Sequence, residues 1–327
     1  MLSFVYVNFF SIDDCIFLTI RAVMVTRDIL ARLVAYRLNY NPLGNFIICS
    51  DPRGGSTWLT ELLEPLLAVP VLWEPLHIEK VPEFKRLNFS WRQHIAEDQV
   101  WEDANLAFER LFKGKLLNDW ITSQTSFYKL LVSDRALIKF CRANALLPWM
   151  TRNFNFRYKP IYLIRHPFAV VSSQLKQGGW DYEFTGFVIP DSPFNKLYLE
   201  HSKFLKSLRT KEEALTALWC ISNQVSLCSD RNNNSWITIN YECLVDDTQA
   251  TLERVFREWG MQIEVSKLNF AKASKTTVGS SPLSGSAQIE YWRKGLNSDQ
   301  VKRMTDVLQY FHVSVYSSNP YPEIIFT

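Results

Sequence analysis

Short apolar runs alternate along this chain with longer segments in which apolar residues recur at helical spacing. The run at 46–50 predicts a buried strand, and the segment from 56 to about 64 predicts a helix with Leu59, Leu62 and Leu63 on one face. Strands followed by helices in this order are typical of parallel βαβ units. The pattern therefore predicts an α/β fold in three layers, with a central, mainly parallel sheet flanked by helices.

The same pattern predicts the other elements. Further strands are expected over 69–73, 130–133, 160–164 and 236–240. Further helices are expected over 93–113, 136–147, from 167 onward, 196–208, 211–229, 248–259 and after a cap at Asn297 or Ser298. Because no repeat or long linker divides the chain, we expect a single domain over 41–327. An N-terminal extension, 1–40, is expected to be in part helical or disordered.

Composition and charge narrow the kinds of ligand. Of the 327 residues, 47% are hydrophobic, which is enough to build the core of one large domain. Lysine and arginine number 36 against 33 aspartates and glutamates, for a formal charge of +3. This balance is not typical of proteins that bind nucleic acid or a membrane surface. Any anion site is therefore expected to be local, as a small charged ligand requires.

The N-terminal residues and the cysteines bear on the compartment. Residues 1–26 are rich in Phe, Ile and Val, but Asp13, Asp14 and Arg21 interrupt them, so they fall short of the about 20 apolar residues that span a bilayer. They do not form a clear signal peptide, and Met1 and Met24 are both possible starts. The six cysteines include no C-x-x-C pair, which favours free thiols. We therefore expect a cytoplasmic protein.

A glycine-containing turn separates the first strand from the first helix. It reads Asp51-Pro52-Arg53-Gly54-Gly55-Ser56-Thr57, followed by Trp58. Such a turn binds phosphate because its free N–H groups converge on the anion and the helix dipole adds to the field. Arg53 adds a fixed positive charge, and the two glycines let the backbone approach the ligand. A Walker A loop has a lysine after its second glycine, which is missing here. An ordinary strand–turn–helix junction is the alternative.

A second strand, charged turn and helix follow further along the chain. Arg165 stands at the end of the strand at 160–164, and Ser173 lies eight residues later. Two helical turns bring a residue at this spacing back to the same face. Arginine is permanently charged and binds phosphate with two hydrogen bonds. The alternative is a surface cation and a surface hydroxyl, but the pairing with the first turn favours a second phosphate site.

These two motifs together resemble those of the PAPS-dependent sulfotransferases (PAPS is 3′-phosphoadenosine 5′-phosphosulfate), a family with a P-loop-like nucleotide-binding fold. In the family, the first turn binds the 5′-phosphosulfate, and the second motif binds the 3′-phosphate. Gly54 departs from the serine that is more common there. Two later segments, 239–245 and 291–296, also resemble family segments in the right order. The resemblance covers about 44–312 and is closer to the carbohydrate and protein-tyrosine sulfotransferases than to the cytosolic aryl and steroid enzymes.

The resemblance implies an enzyme that transfers a sulfuryl group from PAPS to a hydroxyl or amine by in-line displacement, leaving PAP (adenosine 3′,5′-bisphosphate). It implies no metal and no nucleic-acid partner. The residues implied in donor binding are Arg53, Gly54, Gly55, Ser56, Thr57, Trp58, Arg165, Ser173, Tyr241, Arg293 and Lys294. For Tyr241 a packing role is an equal alternative, and a solvated pair is the alternative for Arg293 and Lys294. Arg53 is also expected to neutralise charge on the leaving 5′-phosphate.

Glu74 is the favoured base for the acceptor proton. It follows the strand at 69–73, so we expect it at the same edge of the sheet as the phosphate turn. It resembles the Glu-Pro of carbohydrate sulfotransferases and the catalytic glutamate of protein-tyrosine sulfotransferases. Trp73 and Pro75 are expected to limit its solvation and raise its pKa. His77 is the competing catalytic base, Glu61 is a weaker choice, and a structural ion pair is the alternative for Glu74.

Two other classes of protein remain as alternatives. One is a kinase or nucleotide hydrolase with a phosphate-binding loop, and the other is a non-catalytic nucleotide-binding protein. The aromatic stretch at 180–184, after Gly178 and Gly179, is expected to form a lid on the acceptor side. Aromatic side chains there suit a sugar, a lipid or an aryl group equally, while the Glu-Pro resemblance favours a carbohydrate.

Overall fold

The computed structural model describes residues 12–177, 180, 182–265 and 285–326, with side chains from residue 25 onward. Its strands are β1 (Phe46–Ser50), β2 (Val71–Trp73), β3 (Leu137–Phe140), β4 (Ile161–Ile164) and β5 (Ile237–Asn240). Its helices are α1 (Ile12–Arg37), α2 (Ser56–Leu67), α3 (Pro82–Arg86), α4 (Glu102–Phe112), α5 (Phe127–Val132), α6 (Leu147–Asn153), α7 (Pro167–Leu175), α8 (Lys196–Glu200), α9 (Ser202–Ser207), α10 (Lys211–Leu227), α11 (Tyr241–Asp246), α12 (Thr248–Glu258), α13 (Ser286–Ile289) and α14 (Ser298–Tyr310).

The five strands form one parallel sheet in the order β2-β3-β1-β4-β5. The central strand is β1, where Cys49 pairs with Phe140 of β3 on one side and with Tyr162 of β4 on the other. Because the strands are parallel, all five carboxyl ends meet at one edge of the sheet. In open α/β sheets, ligands bind in the crevice outside that edge.

Helices cover both faces of the sheet. Alternate residues of β1 point to opposite faces. Ile47 belongs to the buried cluster that includes residues of α7, α10 and α14, whereas Ile48 belongs to the one that includes residues of α2 and α12. Burial on both faces explains why the strands are apolar throughout. The three-layer α/β fold predicted from the sequence is confirmed. Cys49 and Cys220 are buried free thiols, in agreement with the cysteine spacing, which favoured free thiols.

Three predicted elements were wrong in type or extent. The predicted helix at 136–147 contains β3, and the predicted strand at 130–133 lies in α5 and its C-cap. A short buried apolar run cannot be assigned by periodicity alone, and β3 is fixed as a strand by pairing with both β1 and β2. The predicted helix at 93–113 begins only at Glu102. The residues before it form irregular structure in which the Gln93 side chain binds backbone groups instead.

The N-terminal helix α1 packs against the domain through Ala31, Ala35 and Leu38, which are buried in the main core. Arg27 also donates hydrogen bonds to the carbonyls of Thr122 and Thr125. Among the helices that the structure describes, none has both the length and the apolar composition to cross a bilayer.

Candidate functional site

Charged and aromatic side chains lie together at the carboxyl edge of the sheet, because every strand has such residues at or just after its carboxyl end. The groups are the turn 51–57 after β1, Glu74 after β2, Lys139 and Arg142 at the end of β3, Arg165 after β4 and Tyr241 after β5. Residues far apart in the sequence are thus placed side by side by the parallel topology.

The turn after β1 has the strained backbone that is typical of a ligand-binding loop. Gly55 caps α2 with φ 97°, and Arg53 has φ 71° although it carries a side chain. A Cβ at Gly54 would overlap the Ser50 hydroxyl, and a Cβ at Gly55 would overlap the ring of Tyr241. Both glycines are therefore required by the shape of the turn.

We predict that Gly55→Ala destabilises the protein by about 2–4 kcal/mol, since it adds a clash with Tyr241 to the about 1–2 kcal/mol that a side chain costs in the left-handed region. Gly260→Ala is the matched control, because Gly260 also has positive φ (65°) but has open space where the Cβ would go. Urea unfolding of both variants measures the difference. Equal losses in the two variants would show that Tyr241 does not press on the turn.

The two motifs seen in the sequence are in direct contact. Arg53 Nε donates to Ser173 Oγ at 3.0 Å, and Arg165 donates from an Nη atom to the Arg53 carbonyl at 3.1 Å. Gln174 adds a hydrogen bond from its side-chain amide to the Pro52 carbonyl at 3.0 Å. The turn after β1 is therefore tied to α7 by two hydrogen bonds, and to Arg165, which precedes α7, by a third. These contacts place Arg53, Arg165 and Ser173 on one surface.

This surface is positively charged. Burial lowers the pKa of Arg53, and the neighbouring Arg165 guanidinium lowers it further. Arg165 stacks over the Tyr241 ring at 4.3 Å and forms no salt bridge with any carboxylate in the described part of the chain. Two guanidinium groups held this close to each other attract an anion.

Tyr241 forms the floor beside the turn. Its ring lies against Gly55, and Trp58 approaches it edge-on with the ring centroids 6.0 Å apart. Its hydroxyl is hydrogen-bonded to the Gln288 side chain. Tyr241 thus packs the turn and, through its ring, orients Arg165.

Arg293 and Lys294 are exposed at the end of a 3-10 turn, Glu290–Lys294, that packs on α7. Trp292 anchors this turn by stacking on His166, with ring centroids 5.2 Å apart. A side chain at Gly295 would overlap Ser172, the neighbour of Ser173. The segment therefore lies beside the Arg165 and Ser173 motif.

His166 is a structural residue of this motif. Burial lowers its pKa to about 3, so the ring is neutral at physiological pH. Its Nδ1 accepts a hydrogen bond from the Phe168 N–H at 3.1 Å, and its Nε2 lies 2.8 Å from the Asn319 carbonyl, to which it donates in the neutral form. The buried Glu242 carboxylate accepts the His166 backbone N–H at 3.0 Å. These bonds fix the start of α7, on which Ser173 lies.

Glu74 is surrounded by cations rather than by apolar groups alone. Its Oε1 accepts hydrogen bonds from Lys139 Nζ at 2.9 Å and from the Cys141 thiol at 3.1 Å, and its Oε2 lies 3.6 Å from an Arg142 nitrogen. Burial raises the pKa of Glu74, but Lys139 and Arg142 outweigh that effect and hold the pKa below its usual value. The expected rise in the pKa of Glu74 was therefore wrong, and the carboxylate is ionised. Like Arg53, Glu74 has a positive φ, of 40°.

Lys139 is the main site residue that the sequence did not reveal. Its side chain is 1% exposed, and its ammonium joins Glu74 to the turn by a second hydrogen bond, to Thr57 Oγ1 at 3.1 Å. The ammonium also lies 3.5 Å from the centre of the Trp73 ring. A lone lysine in the apolar run at 136–141 was the available signal, but the run had been assigned to a helix. A strand assignment would have pointed to this edge of the sheet.

The turn also rests on a buried polar network that sequence reasoning missed. The Asp51 carboxylate forms a salt bridge with Arg92 and accepts hydrogen bonds from the Asn144 and Asn223 amides at 3.1 and 2.6 Å. Asp51 and Arg92 are both nearly inaccessible to solvent. A buried ion pair with its remaining oxygens satisfied holds one geometry firmly. The network fixes the start of the turn after β1.

The competing base, His77, packs among aromatic side chains. Its ring is placed edge-on between Trp91 and Trp120, with centroid distances of 4.9 and 4.8 Å, and burial lowers its pKa. Glu61 lies on α2, about one turn beyond Thr57. Glu74 is connected to the turn by Lys139, which bonds both the Glu74 carboxylate and the Thr57 hydroxyl.

The remaining observations concern the predicted lid, metal-binding clusters and surface cavities. Of the proposed lid, residues 178, 179 and 181 lie outside the described part, while Tyr182 lies over the Lys211 ammonium. No cluster of three or more metal-ligating side chains occurs among the described residues. Two surface cavities, of about 180 and 440 Å³, lie near α3 and α4 and beside α1, away from the turn.

Comparisons with known proteins give remote structural similarities. No family model and no curated protein matches this sequence. The sulfotransferase domain of the Synechococcus PCC 7002 olefin synthase is similar over 86% of this chain and 98% of its own, with 18% identity and a TM-score of 0.45. Mouse sulfotransferase SULT7A1, complexed with PAP, is similar over 89% and 90%, with 12% identity and a TM-score of 0.43.

A third structure, the sulfotransferase domain from the curacin biosynthetic pathway, is similar over 81% of this chain and 97% of its own, with 17% identity and a TM-score of 0.43. At such low identities and TM-scores these structures add no argument about the site. The case for a function therefore rests on the side chains that this chain brings together.

Proposed function

We propose that this protein is a PAPS-dependent sulfotransferase that transfers a sulfuryl group to a hydroxyl or amine of an acceptor. The observation that supports it most is the contact of Arg53 with Ser173 and Arg165 at the carboxyl edge of the sheet. An anion site with two guanidiniums, one on each motif, suits a nucleotide that carries phosphate at both its 5′ and 3′ positions.

The residues present fit such a donor. Gly54 and Gly55 have no Cβ, so the backbone of the turn after β1 can approach a 5′-phosphosulfate closely. Ser56 and Thr57 begin α2, where the positive end of the helix dipole favours an anion. Arg165, with Ser173 two turns into α7, would hold the 3′-phosphate, and the exposed Arg293 and Lys294 lie beside them.

Arg53, Glu74 and Lys139 each have a different role in the proposed sulfuryl transfer. In-line transfer breaks the bond from sulfur to the 5′-phosphate oxygen and forms a bond from sulfur to the acceptor oxygen or nitrogen. Arg53 offsets the negative charge that develops on the leaving phosphate. Glu74 accepts the acceptor's proton. Lys139 bonds both Glu74 and Thr57, so it holds the base at a fixed distance from the turn and stabilises charge on the transferring group.

The ionised state of Glu74 suits this role. Lys139 and Arg142 keep the carboxylate deprotonated, so it is ready to accept a proton at physiological pH. The lowered pKa makes Glu74 a weaker base than an isolated glutamate. A weak base is sufficient when the acceptor loses its proton late, because that proton becomes more acidic as the bond to sulfur forms. Trp73 and Trp120 enclose the same residue, the latter by donating to the Glu74 carbonyl at 3.2 Å.

Thermal shift with two nucleotides tests the proposal. A sulfotransferase is expected to be stabilised by PAP without metal, by about 3 kcal/mol at 100 times the dissociation constant, because ligand binding stabilises the folded state by mass action. ATP with Mg²⁺ should give a much smaller shift, since the turn has no lysine after its second glycine. Stabilisation by ATP–Mg²⁺ and not by PAP would favour a kinase or nucleotide hydrolase instead.

A further inference from the structure

Arg142 helps to keep Glu74 ionised through one long contact, which leaves most of its hydrogen-bond donors unused by the transfer chemistry. It follows β3 directly, and its side chain is 14% exposed. Its guanidinium lies over the Trp91 ring at 4.6 Å and 3.6 Å from Glu74 Oε2. Within the described residues, no other carboxylate or carbonyl is bound to it.

An arginine has five N–H donors, and a largely buried one normally has most of them occupied. For Arg142, the described residues supply a single polar contact, the 3.6 Å approach to Glu74 Oε2. Burial lowers the pKa of Arg142, although the neighbouring Glu74 carboxylate acts in the opposite direction. A guanidinium over an aromatic ring keeps its N–H donors available to bind a planar oxyanion.

The charge around Glu74 is also out of balance. Lys139 and Arg142 both contact this one carboxylate, on different oxygens, so the group has an excess positive charge. Lys139 lies on the side of the turn, where it bonds Thr57. Arg142 contacts the other oxygen of Glu74 and lies over the Trp91 ring. The excess charge is therefore located between the Glu74 carboxylate and the partly exposed Trp91.

Trp91 forms an aromatic surface beside this cation. It is 37% exposed, its ring packs edge-on against His77, and it lies beneath the Arg142 guanidinium. An aromatic surface next to a cation suits a ring-shaped ligand with an anionic substituent.

We propose that Arg142 binds an oxyanion on the acceptor, a carboxylate or a sulfate, next to the group that receives the sulfuryl. The acceptor is thus an anionic molecule, and an acidic sugar stacked on Trp91 fits the site best. This inference rests on the proposed function, because it assigns the acceptor side of that same site. The donor does not need Arg142, since Arg53 and Arg165 already supply two cations at the turn.

Two matched ligands test this inference by calorimetry on the PAP-saturated protein. The probes are 4-nitrophenyl β-D-glucuronide and 4-nitrophenyl β-D-glucoside, which differ in having a carboxylate or a neutral hydroxymethyl group. We expect the glucuronide to bind about 10–100-fold more tightly, as for a hydrogen-bonded charge pair. Arg142→Gln should remove this preference and leave PAP affinity unchanged, and Arg142→Lys should keep part of it. Arg152→Gln, at a 58% exposed arginine, is the control.

The outcomes separate the two proposals. Equal binding of the two glycosides by the natural protein, binding of neither, or a preference that survives Arg142→Gln would overturn the anionic acceptor. A loss of PAP affinity in Arg142→Gln would assign the arginine to the donor and also overturn it. Failure of PAP to bind at all would count against the proposed function alone, and the same glycoside titration without PAP would still decide the role of Arg142.

Discussion

Replacing Glu74 by glutamine is expected to lower kcat by about 10²–10⁴-fold, the usual contribution of a general base, while PAP affinity stays within about twofold. Glutamine keeps the size of the side chain and its hydrogen bond from Lys139, but it cannot take up a proton. The measurement is the rate at which radiolabelled PAPS is consumed with sugar, lipid and phenol acceptors, together with a PAP titration.

His77→Asn is the matched control, because His77 is the competing base and lies only three residues from Glu74. We expect this variant to keep most of the kcat of the natural protein, since the His77 ring packs on two tryptophans and not on the turn. The assignment would be wrong if Glu74→Gln kept substantial turnover, or if His77→Asn lost as much as Glu74→Gln.

The pH profile gives the same assignment a second readout. A base must be deprotonated, so activity is lost as the pH falls through the pKa of the base in the folded protein. For Glu74 this pKa is below the ordinary value of 4.5, because of Lys139 and Arg142. The acid limb of kcat/KM is therefore expected below pH 4.5 for the natural protein.

Replacing Arg165 by methionine is expected to weaken PAP binding by about 10–100-fold, the loss typical of a hydrogen bond between charged groups. AMP, which lacks the 3′-phosphate, should bind to this variant and to the natural protein with about equal affinity. The reason is that Arg165 is assigned to the 3′-phosphate, whereas the turn with Arg53 binds the 5′ group. Calorimetric titration of both nucleotides measures the two effects.

Arg152→Met is the control for this prediction, because Arg152 is a 58% exposed arginine whose carboxylate partner is 3.8 Å away. Circular dichroism should show that Arg165→Met remains folded. If the variant lost AMP and PAP binding to the same extent, Arg165 would act by supporting the turn through the Arg53 carbonyl, and its assignment to the 3′-phosphate would be contradicted.

The sequence was sufficient for the fold and for much of the turn. The strand at 46–50, the helix from residue 56 and the strand at 160–164 follow from apolar runs bounded by glycine and proline, and the structure contains all three. The parallel arrangement follows from their alternation. What the sequence could not give was β3, because a four-residue buried run has no period that separates a strand from a helix.

The failure at β3 also explains what was missed in the site. Lys139 lies on that strand and Arg142 just after it, so the surroundings of Glu74 depended on a pairing that only the folded sheet shows. The expected effect of Trp73 and Pro75 on Glu74 was based on local sequence and omitted these two cations. The sign of a pKa shift depends on groups that are distant in sequence, and tertiary contacts decide it.

The segments of Tyr241 and Arg293 were identified by resemblance and by their order along the chain, which carries no information about their neighbours. In the structure, Tyr241 packs on Gly55, and the 3-10 turn that contains Arg293 packs on α7. Donor binding by these two side chains stays a prediction.

We propose that one nucleotide binds Arg53 and Arg165 together, with one phosphate at its 5′ position and one at its 3′ position. Calorimetric titration of the natural protein with PAP and with its isomer adenosine 2′,5′-bisphosphate tests this proposal, because the two ligands have the same charge and differ only in the position of one phosphate. We expect PAP to bind at least about tenfold more tightly. Equal affinities for the two isomers, or no binding of PAP, would contradict it.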